Sequence, residues 1–495
     1  MSYGAPAAHA AASKGQPQAV AYAFYLALAL AGLLVWRILA LYVSGTELFF
    51  DEAQYWSWSR ELDFGYYSKP PLIAWVIRAS TELCGGSEFC VRLPSPIIHT
   101  ATAVVVFFLA RRLYDARIGF WAAVVFATLP GIAFSAGIIS TDVPLLLFWA
   151  LALLAFAALL NGGGWLAAAG LGVALGLGLL SKYAMVYFLM CALVFAAWSG
   201  AWRRLLGDGR IYAALAIAAA IVAPNVVWNI ENGFATVAHT ADNANWRGSL
   251  FNPANALEFF ASQAGVFGVI LFIALLAIAW RVRHGTSETQ KLLLSFSLPI
   301  ILLITVQAFL SRAHANWAAA AYVAASVLVT AELLRANARL AFNGSLALHL
   351  ALVGLIGAGN AMAGRVSVPG GIDPYERVLG WKAIADYADR KAIEGGFRAI
   401  STDRRALTAE LLYYSSGRVP VLAHLDGDVP RDHFELTRPL TAETPGPILF
   451  VSFKDRAERL RKSFRTVELL EVKDMPAGGS ASRRVYIFKA EGLLP

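Results

Sequence analysis

Apolar runs long enough to cross a lipid bilayer recur along this chain from Ala21 to Met362, and no other feature limits its fold so strongly. In hydrocarbon every backbone N–H and C=O must find its partner inside the protein, so repeated runs of this kind imply a bundle of helices. The apolar core of a bilayer is about 30 Å thick and a helix rises about 1.5 Å per residue, so a span takes roughly 17 to 25 residues. Read on that scale the chain has eleven predicted spans, near 20–43, 93–112, 118–137, 143–161, 164–180, 182–199, 211–229, 262–281, 290–310, 314–334 and 344–362. The first reads as a span and not as a cleaved leader, being too long and lacking a cleavage pattern before Glu47. Only 15% of the residues are charged, against roughly a quarter in a soluble protein. That excludes a water-soluble enzyme and a disordered chain.

Lysine and arginine set the expected topology. Alternate loops hold Arg111, Arg112 and Arg117, then Arg203, Arg204 and Arg210, then Arg281, Arg283 and Lys291, then Arg335 and Arg339. The intervening loops are longer in total but hold only Arg60, Lys69, Arg78, Arg92, Lys182, Arg247 and Arg312. Cytoplasmic loops carry the basic excess, so the first set is predicted inside. The net charge of +8 then belongs to topology rather than to a nucleic-acid surface. The expected organisation is a cytoplasmic tail over 1–19, a membrane module over 20–363 with outer loops at 44–92 and 230–262, and an extracytoplasmic α/β domain over 364–495. In that last part helical patterns at 380–393, 404–414 and 454–465 alternate with β-type runs at 397–401, 419–425, 448–453, 466–472 and 484–488.

The chemistry-bearing residues cluster on the predicted outer face. Asp51-Glu52 follow the first span and open an aromatic segment, Tyr55-Trp56-Ser57-Trp58, suited to the membrane interface. Asp51 reads equally as a helix cap or as a catalytic acid. Tyr66-Tyr67-Ser68-Lys69-Pro70-Pro71 forces an extended turn that orients the Lys69 ammonium. That cation suits a phosphate at headgroup level, or simply snorkels there. Thr141-Asp142 opens a span and caps it or serves the reaction, and Lys182 lies between two predicted spans. Cys84 and Cys90 share an outer loop as a disulfide or as two thiols, while Cys191 lies in a span. No Cys/His metal-ligand spacing, Walker loop or dinucleotide fingerprint occurs, so no nucleotide cofactor is expected and a divalent cation is left open.

These residues resemble a known family. Asp51-Glu52, the aromatic helix, Lys69-Pro70-Pro71-Leu72, Glu88-Phe89 and Arg92-Leu93-Pro94-Ser95 are similar to the GT-C membrane glycosyltransferases of the protein O-mannosyltransferase type. The likeness is greatest to the bacterial glycosyltransferase family 39 group and the lipid A aminoarabinose transferase. It continues through Thr141-Asp142-Val143-Pro144-Leu145, Ser181-Lys182-Tyr183, Asn225-Val226-Val227-Trp228-Asn229, Gln263, Asn316-Trp317, Gly380-Trp381 and Ala409-Glu410-Leu411-Leu412-Tyr413-Tyr414. It implies a polyprenyl-phosphate sugar donor and an acceptor in the envelope, either lipid A or another glycolipid, or a protein. The setting it implies is the outer face of the cytoplasmic (inner) membrane. Position by position it implies Asp51 and Asp142 as the functional acids and Lys69 and Lys182 as the active-site cations. Glu52, Gln54 and Tyr66 join the two lysines as expected substrate-binding residues. Gln54 stands where the aminoarabinose transferase has an arginine, and Ser68 where it has a metal-binding glutamate, so neither aminoarabinose nor zinc at this position is expected.

Chemically, a phosphate leaving group needs its developing charge stabilised, which suits Lys69 and Lys182. An acceptor hydroxyl must lose a proton as it attacks, which suits Asp51 as base. A lipid-linked sugar flippase or polysaccharide transporter is the alternative class, expected to carry an internal repeat that this sequence does not display.

Overall fold

The computed structural model describes residues 7–246, 248, 250–365, 373–425, 427, 429–478 and 481–494. The predicted tail over 1–19 and the loop residue Arg247 fall partly or wholly outside these. The chain forms two compact units, one of Met1–Leu39 with Leu93–Gly357, the other of Ala40–Arg92 with Ala358–Pro495.

The first unit is helical. Among the described residues six helices have the length and composition of a span: Gln18–Tyr42, Glu88–Leu113, Asp142–Leu160, Gly209–Glu231, Glu288–Leu310 and Arg339–Ala361. A seventh is counted if the pair Pro253–Phe267 and Val269–Arg281, bent by 113° at Gly268, is one broken span. The predicted count of eleven is therefore not reached by this measure. Ala116–Thr128, Trp165–Ser181 and Tyr183–Ser199 are apolar but shorter. A 13-residue helix such as Ala116–Thr128 reaches about 20 Å, short of the hydrocarbon thickness. The span predicted at 118–137 is cut because Pro130 lacks an N–H and starts a second short helix, Pro130–Ser135. Arg37, buried within the first span, donates its Nη2 to the Ala127 carbonyl at that cut end. Asp142–Leu160 has 61% of its apolar window buried within the protein, whereas Gly209–Glu231 has 22%. Burying apolar side chains against protein on one helix and leaving them outward on another is what a bundle bathed in lipid requires.

The second unit holds a five-stranded sheet of order β2-β1-β3-β5-β4. Its strands are β1 (Ala399–Thr402), β2 (Val421–Ala423), β3 (Ile448–Ser452), β4 (Phe464–Pro476) and β5 (Ser482–Leu493). β1 pairs in parallel with β2 and β3, while β5 runs antiparallel to β3 and β4. Alternation along β3 sends Leu449 and Val451 to one core, with Trp381, Ile384, Leu407, Leu411 and Ile487. Ile448 and Phe450 go to the other, with Phe464, Phe488 and Ala490. Each such fully buried large side chain contributes about 1.5–3 kcal/mol. The helices Trp381–Glu394 and Arg405–Tyr414 match the predicted pattern, but the one expected over 454–465 shrinks to Ala457–Leu460.

The loop after the first span is part of this unit. Leu48 N–H donates to the Tyr414 hydroxyl at 2.9 Å. Glu47 Oε2 accepts from the backbone N–H groups of Trp381 at 2.6 Å and Lys382 at 3.3 Å. That carboxylate supplies acceptors for the first, otherwise unpaired N–H groups of the helix Trp381–Glu394. Gly380, with φ +82°, begins that helix where a Cβ would come 2.2 Å from the Pro476 carbonyl oxygen, so only glycine fits. Cys84 and Cys90 are joined in a disulfide, and Cys191 is a buried free thiol.

Candidate active site

The helix Phe50–Arg60 positions the first group of residues. Glu52 is its third residue, and its carboxylate accepts from the Phe49 N–H at 2.9 Å. Arg92, itself buried, grips Glu52 in a fork: Nε to Oε1 at 2.9 Å and Nη2 to Oε2 at 2.7 Å. The same guanidinium reaches Thr46 Oγ1 at 2.8 Å and the Glu47 carbonyl at 2.7 Å. With both charged side chains only 2% exposed, Glu52 locks the loop to the helix. Both Glu52 carboxylate oxygens are engaged by this buried cation.

Tyr66 is also buried. Its ring stacks on Trp58 at a centroid distance of 4.6 Å. Its hydroxyl bonds to the Trp58 and Glu61 carbonyls, each at 3.1 Å, and accepts from the Asp63 N–H at 3.1 Å. Burial pushes that phenol above its ordinary pKa. Tyr66 therefore braces the turn. The turn itself is tight, with Tyr66 and Lys69 exchanging backbone hydrogen bonds at 3.2 and 3.3 Å before Pro70 and Pro71. Lys69 is half-buried there.

Asp51 occupies the second position of the helix with 37% of its side chain exposed. Its Oδ1 accepts from Arg405 Nη1 at 2.9 Å, and Oδ2 has no hydrogen-bond partner among the described residues. Gln54, one turn on and buried, accepts from the same Nη1 through Oε1 and donates through Nε2 to Ser68 Oγ at 3.4 Å. Arg405 is the residue that sequence reasoning missed. It opens the helix Arg405–Tyr414 and lies over the Phe50 ring, 5.1 Å from its centroid.

The second group belongs to the first unit. Asp142 is the first residue of the helix Asp142–Leu160, and Thr141 before it makes no side-chain cap bond. Among the described residues the Asp142 carboxylate makes no cap bond either. Oδ1 pairs with Lys182 Nζ at 2.7 Å and Oδ2 accepts from Asn316 Nδ2 at 2.7 Å. Lys182 stands where the helix Trp165–Ser181 gives way to the turn Tyr183–Val186. Beside it the Tyr183 hydroxyl donates to Asn225 Oδ1 at 2.7 Å and accepts from Asn229 Nδ2 at 3.2 Å. Gln263, buried, accepts from the Tyr322 hydroxyl at 2.7 Å and donates to the Ala315 carbonyl at 3.3 Å, next to Asn316. Polar residues otherwise costly among apolar helices are thus paired. Among the described residues no three His, Cys, Asp or Glu side chains gather as a metal site.

Comparison with known proteins shows which chains this one is similar to. Residues 68–228 match the family model described as dolichyl-phosphate-mannose-protein mannosyltransferase. A lipid A galacturonosyltransferase of Rhizobium johnstonii is 37% identical over 428 residues, 85% of this chain and 89% of the relative. An undecaprenyl phosphate-alpha-4-amino-4-deoxy-L-arabinose arabinosyl transferase of Pseudomonas aeruginosa is 33% identical over 172 residues, 32% of this chain and 30% of the relative. The crystal structure of ArnT from Cupriavidus metallidurans, solved in the apo state and bound to undecaprenyl phosphate, shares the fold. Its TM-score is 0.66 at 15% identity, covering 94% of this chain and 98% of that one. The chain belongs to the GT-C membrane glycosyltransferases of the protein O-mannosyltransferase type.

Proposed function

We propose that this glycosyltransferase moves a uronic acid residue from a polyprenyl-phosphate donor to lipid A, on the outer face of the cytoplasmic membrane. The likeness to a lipid A galacturonosyltransferase over 85% of the chain carries the reading, and the fold shared with a protein solved with undecaprenyl phosphate supports the donor class. The basic excess of alternate loops supports a cytoplasmic N-terminus and an extracytoplasmic C-terminal domain. A transporter is set aside, since the relatives over most of this chain are transferases.

In the proposed reaction a lipid A hydroxyl attacks the anomeric carbon. The new C–O bond forms as the bond from that carbon to the phosphate oxygen breaks, and the configuration inverts. Asp51 takes the hydroxyl proton through Oδ2, while Oδ1 stays on Arg405. Lys69 stabilises the charge that develops on the departing polyprenyl phosphate. Asp142, held by Lys182 and Asn316, is the second proposed functional acid.

Single-turnover transfer from a lipid-linked uronosyl donor, measured beside donor affinity, tests this. Asp51→Asn keeps the size of the side chain and its hydrogen bond from Arg405 but removes the base. It is expected to slow transfer by about 10²- to 10⁴-fold with little loss of donor binding. Wild-type transfer in Asp51→Asn means that the base lies elsewhere. Unchanged lipid A masses on deleting the gene would rule out lipid A as the acceptor.

A further inference from the structure

We propose that Arg405 is the residue that reads the anionic part of the donor, gripping an oxyanion beside Asp51 and so selecting acidic over neutral sugars. The inference rests on the uronosyl reading above. An acidic sugar carries its carboxylate on the same ring as the reacting carbon, so the group that recognises it must lie within one ring width of the catalytic acid. Arg405 meets that demand: among the described residues it is the cation whose side chain touches Asp51.

Its geometry leaves it able to bind. A guanidinium has five N–H donors in a planar fork. Here Nη1 alone meets both Asp51 Oδ1 and Gln54 Oε1. Among the described residues Nε and Nη2 have no hydrogen-bond partner, and 32% of the side chain is exposed. That open edge is the one that takes a carboxylate or phosphate with two parallel hydrogen bonds. Phe50 backs the guanidinium plane, and Gln54 is held in turn by Ser68. The fork is thereby aimed from both sides.

A second feature points the same way. Arg405 is the first residue of its helix and follows Arg404, and the first turn has no acidic residue. A cation at the positive end of a helix is opposed by the helix dipole. Among the described residues Asp51 is the ion-pair partner of Arg405 and Asp432 also lies within its field, and the open guanidinium edge leaves it able to take a further oxyanion. The two donor oxyanions that fit are the uronate carboxylate and the phosphate. Lys69 serves the phosphate in the proposed reaction, so the carboxylate is assigned to Arg405.

The test uses full-length protein in lipid nanodiscs with two polyprenyl-phosphate donors, one uronosyl and one carrying the matching neutral hexose. Undecaprenyl phosphate alone is the binding probe. In Arg405→Ala the KM for the uronosyl donor is expected to rise about tenfold to a hundredfold, the value of a charge-assisted pair of hydrogen bonds. The neutral donor and the bare lipid phosphate are expected to bind as before. Arg405→Lys keeps the charge but not the fork, and should recover only part of the uronosyl preference. Equal weakening of both donors and of undecaprenyl phosphate makes the phosphate the oxyanion held. Unchanged KM for both donors, whatever happens to kcat, overturns the proposal and leaves Arg405 acting on Asp51 alone. If Arg405→Ala does not fold, Arg405→Gln and Arg405→Lys decide by the same ratio of donors. Should the wild-type protein use the neutral donor and refuse the uronosyl one, the proposed function fails separately, and the phosphate arm is still read with the neutral donor.

Discussion

Replacing Glu52 by glutamine separates a structural carboxylate from a substrate contact. Glu52 and Arg92 are each 2% exposed and meet through two hydrogen bonds, at 2.9 and 2.7 Å. Glutamine keeps the shape and one acceptor, but turns an NH2 group toward the guanidinium, donor against donor. Arg92 then keeps Thr46 and the Glu47 carbonyl and loses its counter-charge. Leaving one member of a buried ion pair unpaired costs about 3–5 kcal/mol, a large part of the roughly 5–15 kcal/mol that holds a domain together. The expected result is a strongly lowered denaturation midpoint in detergent, with early proteolysis between Ala40 and Arg92. The double substitution Glu52→Leu with Arg92→Met removes both charges and should cost well below the sum of the single changes. A stability loss under about 1 kcal/mol together with a raised donor KM would refute the structural reading and make Glu52 a substrate contact.

Three further outcomes follow from the same structure. Burial, with Glu47 and Glu52 nearby and Arg483 and Arg92 opposing them, holds Glu410 protonated well above its ordinary 4.5. Unfolded, Glu410 releases its proton near 4.5 while the folded protein retains it, so this group's contribution to stability falls as pH rises from there through the folded pKa. Glu410→Gln removes that slope, and its melting temperature relative to wild type should climb between pH 5 and 8; a constant difference would reject the buried acid. Asn316→Ala deprives Asp142 Oδ2 of its donor at 2.7 Å and should slow transfer by about tenfold or more, whereas wild-type rates would remove Asp142 from the reaction. A reporter fused after Pro495 is expected on the extracytoplasmic side and one after Arg204 in the cytoplasm, and finding both on one side would undo the proposed orientation.

What the sequence revealed depended on how local the physical signal was. Apolar run length marked the helical segments, but not how far each extends. Leu129-Pro130 and Gly268 cut or bend runs that hydropathy reads as continuous. Short apolar runs bounded by polar and turn residues located the strands of the C-terminal domain. The pairing of Asp142 with Lys182, 40 residues apart, was approachable because both are ionisable residues at the ends of apolar helices, where a charge calls for a reason. Its third member, Asn316, lies 174 residues from Asp142. It carries no charge and gave no comparable signal beyond its place in the family resemblance.

Arg405 shows the limit most clearly. Its partners Asp51 and Gln54 lie 354 and 351 residues away, and nothing in the spacing of either segment points to the other. Read within the first loop alone, Gln54 is a neutral residue where the aminoarabinose transferase has an arginine. In the folded unit the same glutamine accepts from a guanidinium that the C-terminal domain supplies. One local signal did exist. Arg404-Arg405 begins a helix with no side-chain cap and no acidic residue in the first turn, an arrangement disfavoured by about 0.3–1 kcal/mol for each charge. A local rule broken without a local benefit tends to mark a functional position. Here the compensation comes from Asp51. The Asp51 carboxylate and the cation beside it therefore depend on each other's placement, and the C-terminal domain supplies the ion-pair partner of the first loop's aspartate.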